Sequence, residues 1–329
     1  MHRFRLLSNL FIFLLLAGGV WAQVDDPIKI DSSIVRINVG VVDQRGRPIT
    51  SLNQTNFSIF EDGVKQEIAR FETTTAPFSV VMLLDMSGST KSYRQNIKLS
   101  AARFLDALAP DDRVAVVEFY SKINLLNDFT VDKNLAARSI ELANGEGDTE
   151  LYKAVDYALD RLAKERTRRK AIVVLTDGVD TASRNADRKL LSDKKEDEMA
   201  NAIRPESGEM FNKILNKADV QGVTIYPLAL PTGDPKRLAD PTPLQIALYH
   251  ASRQRLQLIA DRTGGTLNAI NRLEEMGKLY AIVAADLRTL YTLEYSPTNE
   301  KRDGKWRTIK VEVPETNLIA RSRQGYFAR

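Results

Sequence analysis

The chain has 329 residues, 43% apolar and 27% charged, enough to bury a substantial core in two domains or one large one. Its formal charge is only +4, and loss of Arg3 and Arg5 with the leader described below would lower it by two, which argues against a nucleic-acid or membrane-surface role. The absence of cysteine excludes disulfides, a lipoprotein anchor and any thiolate metal site.

Residues 1–22 read as a secretory signal peptide. Arg3 and Arg5 lead into the apolar stretch Leu10–Ala17, Gly18-Gly19 break the helix, and Val20-Trp-Ala22 places small residues at a cleavage site. The stretch is shorter than the roughly 20 residues a membrane span needs; the alternative is an uncleaved N-terminal anchor. No other apolar run approaches spanning length. The mature protein is therefore expected to be exported, periplasmic or extracellular, with no membrane span.

Residues 33–72 alternate apolar and polar side chains, as in Ile34–Val42, Phe57–Phe60 and Ile68–Phe71. Asp43–Pro48 forms a turn, and Asp62-Gly63 between two extended runs signals a hairpin. From Phe78 the pattern changes. Phe78–Leu84, Arg113–Phe119, Ala171–Leu175 and Val223–Ala229 are nearly uniformly apolar, as strands covered on both faces are. Between them lie amphipathic helices, one with Ile97, Ala101, Phe104, Leu105 and Leu108 on one face, another with Leu151, Val155, Ala158, Leu159 and Leu162. Ile123–Leu126 follows too closely for a crossover and fits an antiparallel partner at the sheet edge.

The expected fold class is α/β: a doubly wound, mostly parallel sheet with helices on both faces over residues 78–290. Residues 183–210 are dense in charge and read as a solvated helical insertion, with a partner contact as the alternative. Four prolines make 231–243 a loop, and helical patterns return at Arg255–Arg262 and Glu274–Leu290, with a short strand at Thr266–Ala269. Residues 291–329 resume alternation in Tyr291–Tyr295, Trp306–Val313 and Leu318–Ser322. Neither flank can build a core alone, so 33–72 and 291–329 are expected to form one small antiparallel β-sandwich, with Tyr295 and Trp306 as core or cross-strand pairs.

The chemistry sits just after the buried strands. Strand Phe78–Leu84 runs into Asp85-Met-Ser-Gly-Ser89, Gly147-Asp-Thr149 opens a helix, and strand Ala171–Leu175 ends in Thr176-Asp-Gly-Val-Asp180. Loops at the carboxyl ends of parallel strands converge on one crevice, which brings Asp85, Ser87, Ser89, Thr149 and Asp177 together. Two carboxylates and three hydroxyls are an all-oxygen set suited to one hard divalent cation, Mg²⁺ or Mn²⁺, with a coordination position to spare. Asp148 and Asp180, beside them, read as ordinary turn residues, and His250, the one histidine outside the leader, as solvent-facing.

This arrangement resembles the metal ion-dependent adhesion site of von Willebrand factor type A domains, in which the two serines and the threonine contact the metal and the two aspartates act directly or through water. All five positions match. The flanking Phe57–Gly63 and Arg323-Gln-Gly-Tyr326 are similar to those of an exported bacterial group carrying this domain. The segments 183–210 and 231–243 depart from the family by exceeding its plain core. The resemblance implies a non-enzymatic module that grips an Asp or Glu carboxylate of a protein partner through the metal, in adhesion or complex assembly. The alternatives are a structural subunit of a cell-envelope complex and a metal-dependent phosphohydrolase. Against the latter, Ser87 stands where a haloacid dehalogenase-type phosphatase needs its second Asp. A serine hydrolase lacks a nearby base, and no phosphate-binding G-x-x-x-x-G-K-[ST] or H-E-x-x-H motif is present.

Overall fold

The computed structural model describes residues 34–165, 168–270, 272 and 276–328, so the leader at 1–22 lies outside the described residues. The N-terminal flank supplies β1 (Val35–Asp43), β2 (Ser58–Glu61), β3 (Val64–Gln66) and β4 (Arg70–Glu72). The central region runs through β5 (Phe78–Asp85), α1 (Arg94–Ala107), β6 (Arg113–Phe119), β7 (Ile123–Thr130), α2 (Lys133–Leu142), α3 (Leu151–Leu162) and β8 (Arg169–Thr176). It continues with α4 (Thr181–Leu191), α5 (Glu196–Ala202), α6 (Glu209–Gln221), β9 (Thr224–Ala229), α7 (Pro243–Thr263), β10 (Asn268–Ala269) and α8 (Met276–Leu287). The C-terminal flank adds β11 (Leu290–Tyr295), β12 (Trp306–Glu312), β13 (Leu318–Arg321) and β14 (Gly325–Phe327).

The central sheet has the order β10-β9-β8-β5-β6-β7 and is parallel except for β7, the antiparallel edge expected at Ile123. Every residue of β5 is buried because helices cover both faces. Val80, Met82 and Leu84 pack among α1, α2 and α8, whereas Val81 and Leu83 point oppositely, toward α3, α6 and α7. From β5 the chain steps to β6 on one side, then returns to place β8 on the other. The order reverses at the β5–β8 seam, and a crevice opens at the carboxyl ends of those two strands.

The flanks share sheets. β1 pairs with β11 and β13, β11 also with β4, while β12 pairs with β2 and β14. Residues from both sheets, among them Ile37, Val39, Phe57, Ile59, Leu293, Tyr295 and Ile309, form one buried cluster. The β2–β3 hairpin turns on Asp62 (φ 47°) and Gly63 (φ 82°), the left-handed pair that a tight two-residue turn requires. Trp306 is not in this core: at 37% exposure it pairs across strands with Phe327, ring centroids 5.1 Å apart, while Tyr295 is fully buried.

The structure differs from the sequence expectation in four places. Helix α7 begins at Pro243 rather than near Arg255, because Thr242 and Gln245 form a reciprocal capping box and Pro243 occupies the first helical turn. Helix α2, capped by Asp132, and strand β14 lie where no element was expected. The charged segment 183–210 is helical, but it docks against α7: Leu191 and Ile203 join Ala247, Leu248 and Ala251 in a small buried cluster.

Candidate functional site

Asp85 is the last residue of β5 and fully buried. Its Oδ1 accepts from the Ser87 hydroxyl at 2.6 Å and the Ser87 amide at 3.1 Å, and its Oδ2 accepts from the Thr176 hydroxyl at 2.6 Å. Ser87 and Ser89 hydroxyls are 3.2 Å apart, and the Ser89 hydroxyl in turn favours the charged form of Asp177, beside it on the same cavity wall. Asp85, Ser87, Ser89 and Asp177 thus form one continuous polar chain across the β5–β8 seam. Thr149, 4% exposed, is held instead by Thr181: its amide donates to the Thr181 hydroxyl and its carbonyl accepts from the Thr181 amide, both at 2.9 Å.

The three loops brace one another. The Gly88 amide donates to the Gly147 carbonyl at 3.0 Å, tying the first loop to the second. Arg94, at the start of α1, spans the same gap, donating to Met86 O, Gly145 O and Asn144 Oδ1. Asp180 caps α4 through Ser183 N (3.0 Å) and accepts from Tyr152 N (3.4 Å), so it has the turn role expected of it, and Asp148 is exposed. Gly178 has φ 83°, a left-handed conformation that strains any other residue, and a Cβ there would also have to displace the Leu256 side chain of α7, which it would meet at 2.7 Å.

Sequence reasoning missed two positioning residues. Thr176 holds Asp85 from the neighbouring strand, and its hydroxyl also accepts from the Gly178 amide at 3.0 Å. Its place directly before Asp177 at the end of an apolar strand was the available signal. Arg94 had none, because a half-buried Arg at a helix start reads as surface.

Electrostatically the site lacks positive charge at its floor. Burial, and behind it the charge of Asp177, push the Asp85 carboxyl up to about 7. Burial raises Asp177 as well, although Ser89, the Val179 amide and the more distant Arg253 and Arg184 pull the other way. Two carboxylates sharing a desolvated crevice disfavour each other's ionisation, and a cation between them reverses that. Among the described residues no three His, Cys, Asp or Glu side chains converge, so a metal here would take hydroxyl oxygens beside the two carboxylates. Such a donor set fits a hard divalent ion and suits a thiophilic one poorly.

Residues 80–179 match the family model described as the von Willebrand factor type A domain. No curated protein matches the sequence. Among solved structures, an aerotolerance-related membrane protein from Bacteroides fragilis is similar at 14% identity and a TM-score of 0.45, over 64% of this chain and 98% of that one. The von Willebrand factor domain of the type V pili tip protein Mfa5 from Porphyromonas gingivalis is similar at 17% identity and a TM-score of 0.46, over 64% and 95%. Proximal thread matrix protein 1 from the mussel byssus, with a zinc-occupied adhesion-site motif, is similar at 16% identity and a TM-score of 0.45, over 67% and 47%.

Proposed function

We propose that this chain, whose residues 80–179 match the von Willebrand factor type A domain model, is an exported binding module that holds one divalent cation and, through it, a carboxylate of a partner protein. Asp85, Ser87, Ser89, Thr149 and Asp177 would hold the ion, Mg²⁺ or Mn²⁺. The observation that carries this reading is the pair of buried aspartates bridged by serine hydroxyls, whose burial disfavours their charge. When bound, the cation would supply a positive centre open to an outside carboxylate, because two formal negative charges only neutralise it. Asp85 and Asp177 neutralise, Ser87 and Ser89 add oxygen without charge, and Thr176 and Arg94 keep the loops in register.

A binding role fits better than catalysis. His250 is exposed on α7 with its ring against Tyr249, and it is not among the residues that line the cavity beside Asp177, which gives no support to a base there. Export is read from the leader at 1–22; among the described residues no helix is long and apolar enough to cross a membrane.

The test is calorimetric titration of the purified chain with Mn²⁺ and Mg²⁺. One site per chain is expected, lost in Asp85→Ala and in Asp177→Ala. Undiminished binding in both variants would place the metal elsewhere.

A further inference from the structure

A cavity of about 280 Å³ opens beside Ser89 and Asp177, both of which line it. Its other walls come from Arg184 of α4 and Thr232 and Leu238 of the loop after β9, which lie in the segments that exceed the family's plain core, and from Leu248 and Tyr249 in the early turns of α7. Val179 of the third loop completes an apolar lining next to the polar aspartate. The volume falls just below the range of about 300–1,000 Å³ typical of pockets that enclose a whole small ligand. One large side chain fits it better than a free molecule does.

Charge sorts the occupant further. Arg184 is exposed at the rim, and both it and Arg253 act on Asp177 through space. The Arg253 guanidinium lies 4.9 Å from the Tyr249 ring, with Nη1 buried and unpartnered. Thr232, on the wall, has a buried hydroxyl that also lacks a hydrogen-bond partner. An apolar floor, a cationic surround and a spare hydroxyl favour an acidic residue and a bulky apolar one presented together, with a backbone group within reach of Thr232.

We infer that the cavity is a specificity subsite for a large apolar side chain, foremost an aromatic one, adjacent in the partner protein to the acidic residue held at the metal. This rests on the metal reading above and adds a requirement which that reading does not contain. Leu238 lines the cavity yet is 41% exposed, and it is not one of the residues proposed to hold the metal.

The experiment uses end-capped, fluorescein-labelled peptides carrying Asp-Phe, Asp-Gly or Asn-Phe in a Gly-Ser background, titrated by anisotropy against the full chain with Mn²⁺ or with chelator. Mn²⁺ binding is measured separately by calorimetry. Burial of one aromatic ring predicts that Asp-Phe binds about ten- to a hundredfold more tightly than Asp-Gly, only with Mn²⁺, and that Asn-Phe binds weakly. Thr232→Trp, which fills the cavity, and Leu238→Ala, which removes a wall, should each shrink that preference and leave Mn²⁺ affinity unchanged. Equal binding of Asp-Phe and Asp-Gly by a chain that does bind Mn²⁺ overturns the subsite alone. A preference that survives chelation puts the peptide elsewhere and also overturns it. Phenylacetate displacing the Asp-Phe peptide at equal concentration would assign the cavity to a small acid instead. Failure to bind Mn²⁺ overturns the metal reading and the subsite together.

Discussion

The hydroxyl of Thr176 lies 2.6 Å from Oδ2 of Asp85 and donates to it, so the ends of two neighbouring parallel strands are stitched at the floor of the crevice. The bond orients a carboxylate that β5 alone would leave free to rotate. Thr176→Val keeps the shape and deletes the donor. Loss of such an orienting partner typically lowers metal affinity about 10- to 100-fold, and an unmatched buried oxygen costs about 1–3 kcal/mol of stability. Mn²⁺ calorimetry and thermal melting of the same sample should show both effects. An unchanged metal affinity would reduce Thr176 to a structural role.

Metal-free stability should decline as pH rises toward neutrality. Asp85 has a reference value of 3.8 and stands at about 7 in the folded chain, raised first by burial and then by Asp177. Between those values the folded chain keeps a proton that the unfolded chain has released, so the unfolded state binds fewer protons and rising pH favours it. Asp177 shifts in the same direction. A bound divalent cation takes the proton's place and flattens the slope. Melting temperatures across this window, with chelator and with saturating Mg²⁺, check it; Asp85→Asn should shrink the metal-free slope. A chelated protein that gains stability toward neutrality contradicts it.

Arg169, at the start of β8, is 2% exposed and secures both crossings between the central sheet and the flanks. Its Nε donates to Ala76 O at 2.7 Å, Nη2 to Thr74 O at 2.7 Å, and Nη1 to Leu287 O at 3.4 Å and to Leu290 O. The guanidinium lies 3.9 Å from the Phe78 ring centroid. Arg169→Leu strands several buried carbonyls and should cost about 3 kcal/mol. Lysine should rescue little, having no planar fork. Urea denaturation measures the loss; Mn²⁺ affinity, set at the opposite end of the strands, should stay within about twofold.

What could be read in the residues followed from burial on two faces. An all-apolar strand such as Phe78–Leu84 marks its own carboxyl end, and that end locates Asp85; the same holds for Ala171–Leu175 and Asp177. Alternation located β1 and β11, and Asp62-Gly63 located a turn. The unread parts depend on single residues within misleading composition. Four prolines disguised Thr242 and Gln245 as loop, although together with Pro243 they are a helix start. In the charged stretch after Asp180, only Asp187, Leu191 and Ile203 turn inward, too few to shift a composition-based reading. The cavity beside Asp177 was invisible for the same reason, since part of its wall, Arg184, Thr232, Leu238 and Gln245, comes from those misread stretches.

The last prediction concerns how that charged segment is held. Asp187 of α4 and Arg255 of α7 form a buried bidentate pair, Nη1 to Oδ2 at 2.5 Å and Nη2 to Oδ1 at 2.8 Å, while Arg255 Nε reaches Pro205 O at 3.2 Å. One guanidinium therefore pins both ends of the 187–205 stretch to α7. The apolar contact beneath it is small, confined to Leu191, Ile203 and three α7 residues with a few half-buried neighbours. Removing one partner leaves the other charge buried and unpaired, at a cost of about 3–5 kcal/mol, which exceeds what so small a cluster can resist. Asp187→Ala should therefore release α4 and α5 locally, giving early proteolysis and fast hydrogen exchange over 181–204 while β5 and β8 stay protected. Asp187→Leu combined with Arg255→Met replaces the pair with apolar volume and should restore protection. Because α4 and α7 also wall the cavity beside Asp177, the single variant should lose the Asp-Phe preference and the double variant should regain part of it. Unchanged proteolysis of Asp187→Ala would show that the apolar cluster alone holds the segment.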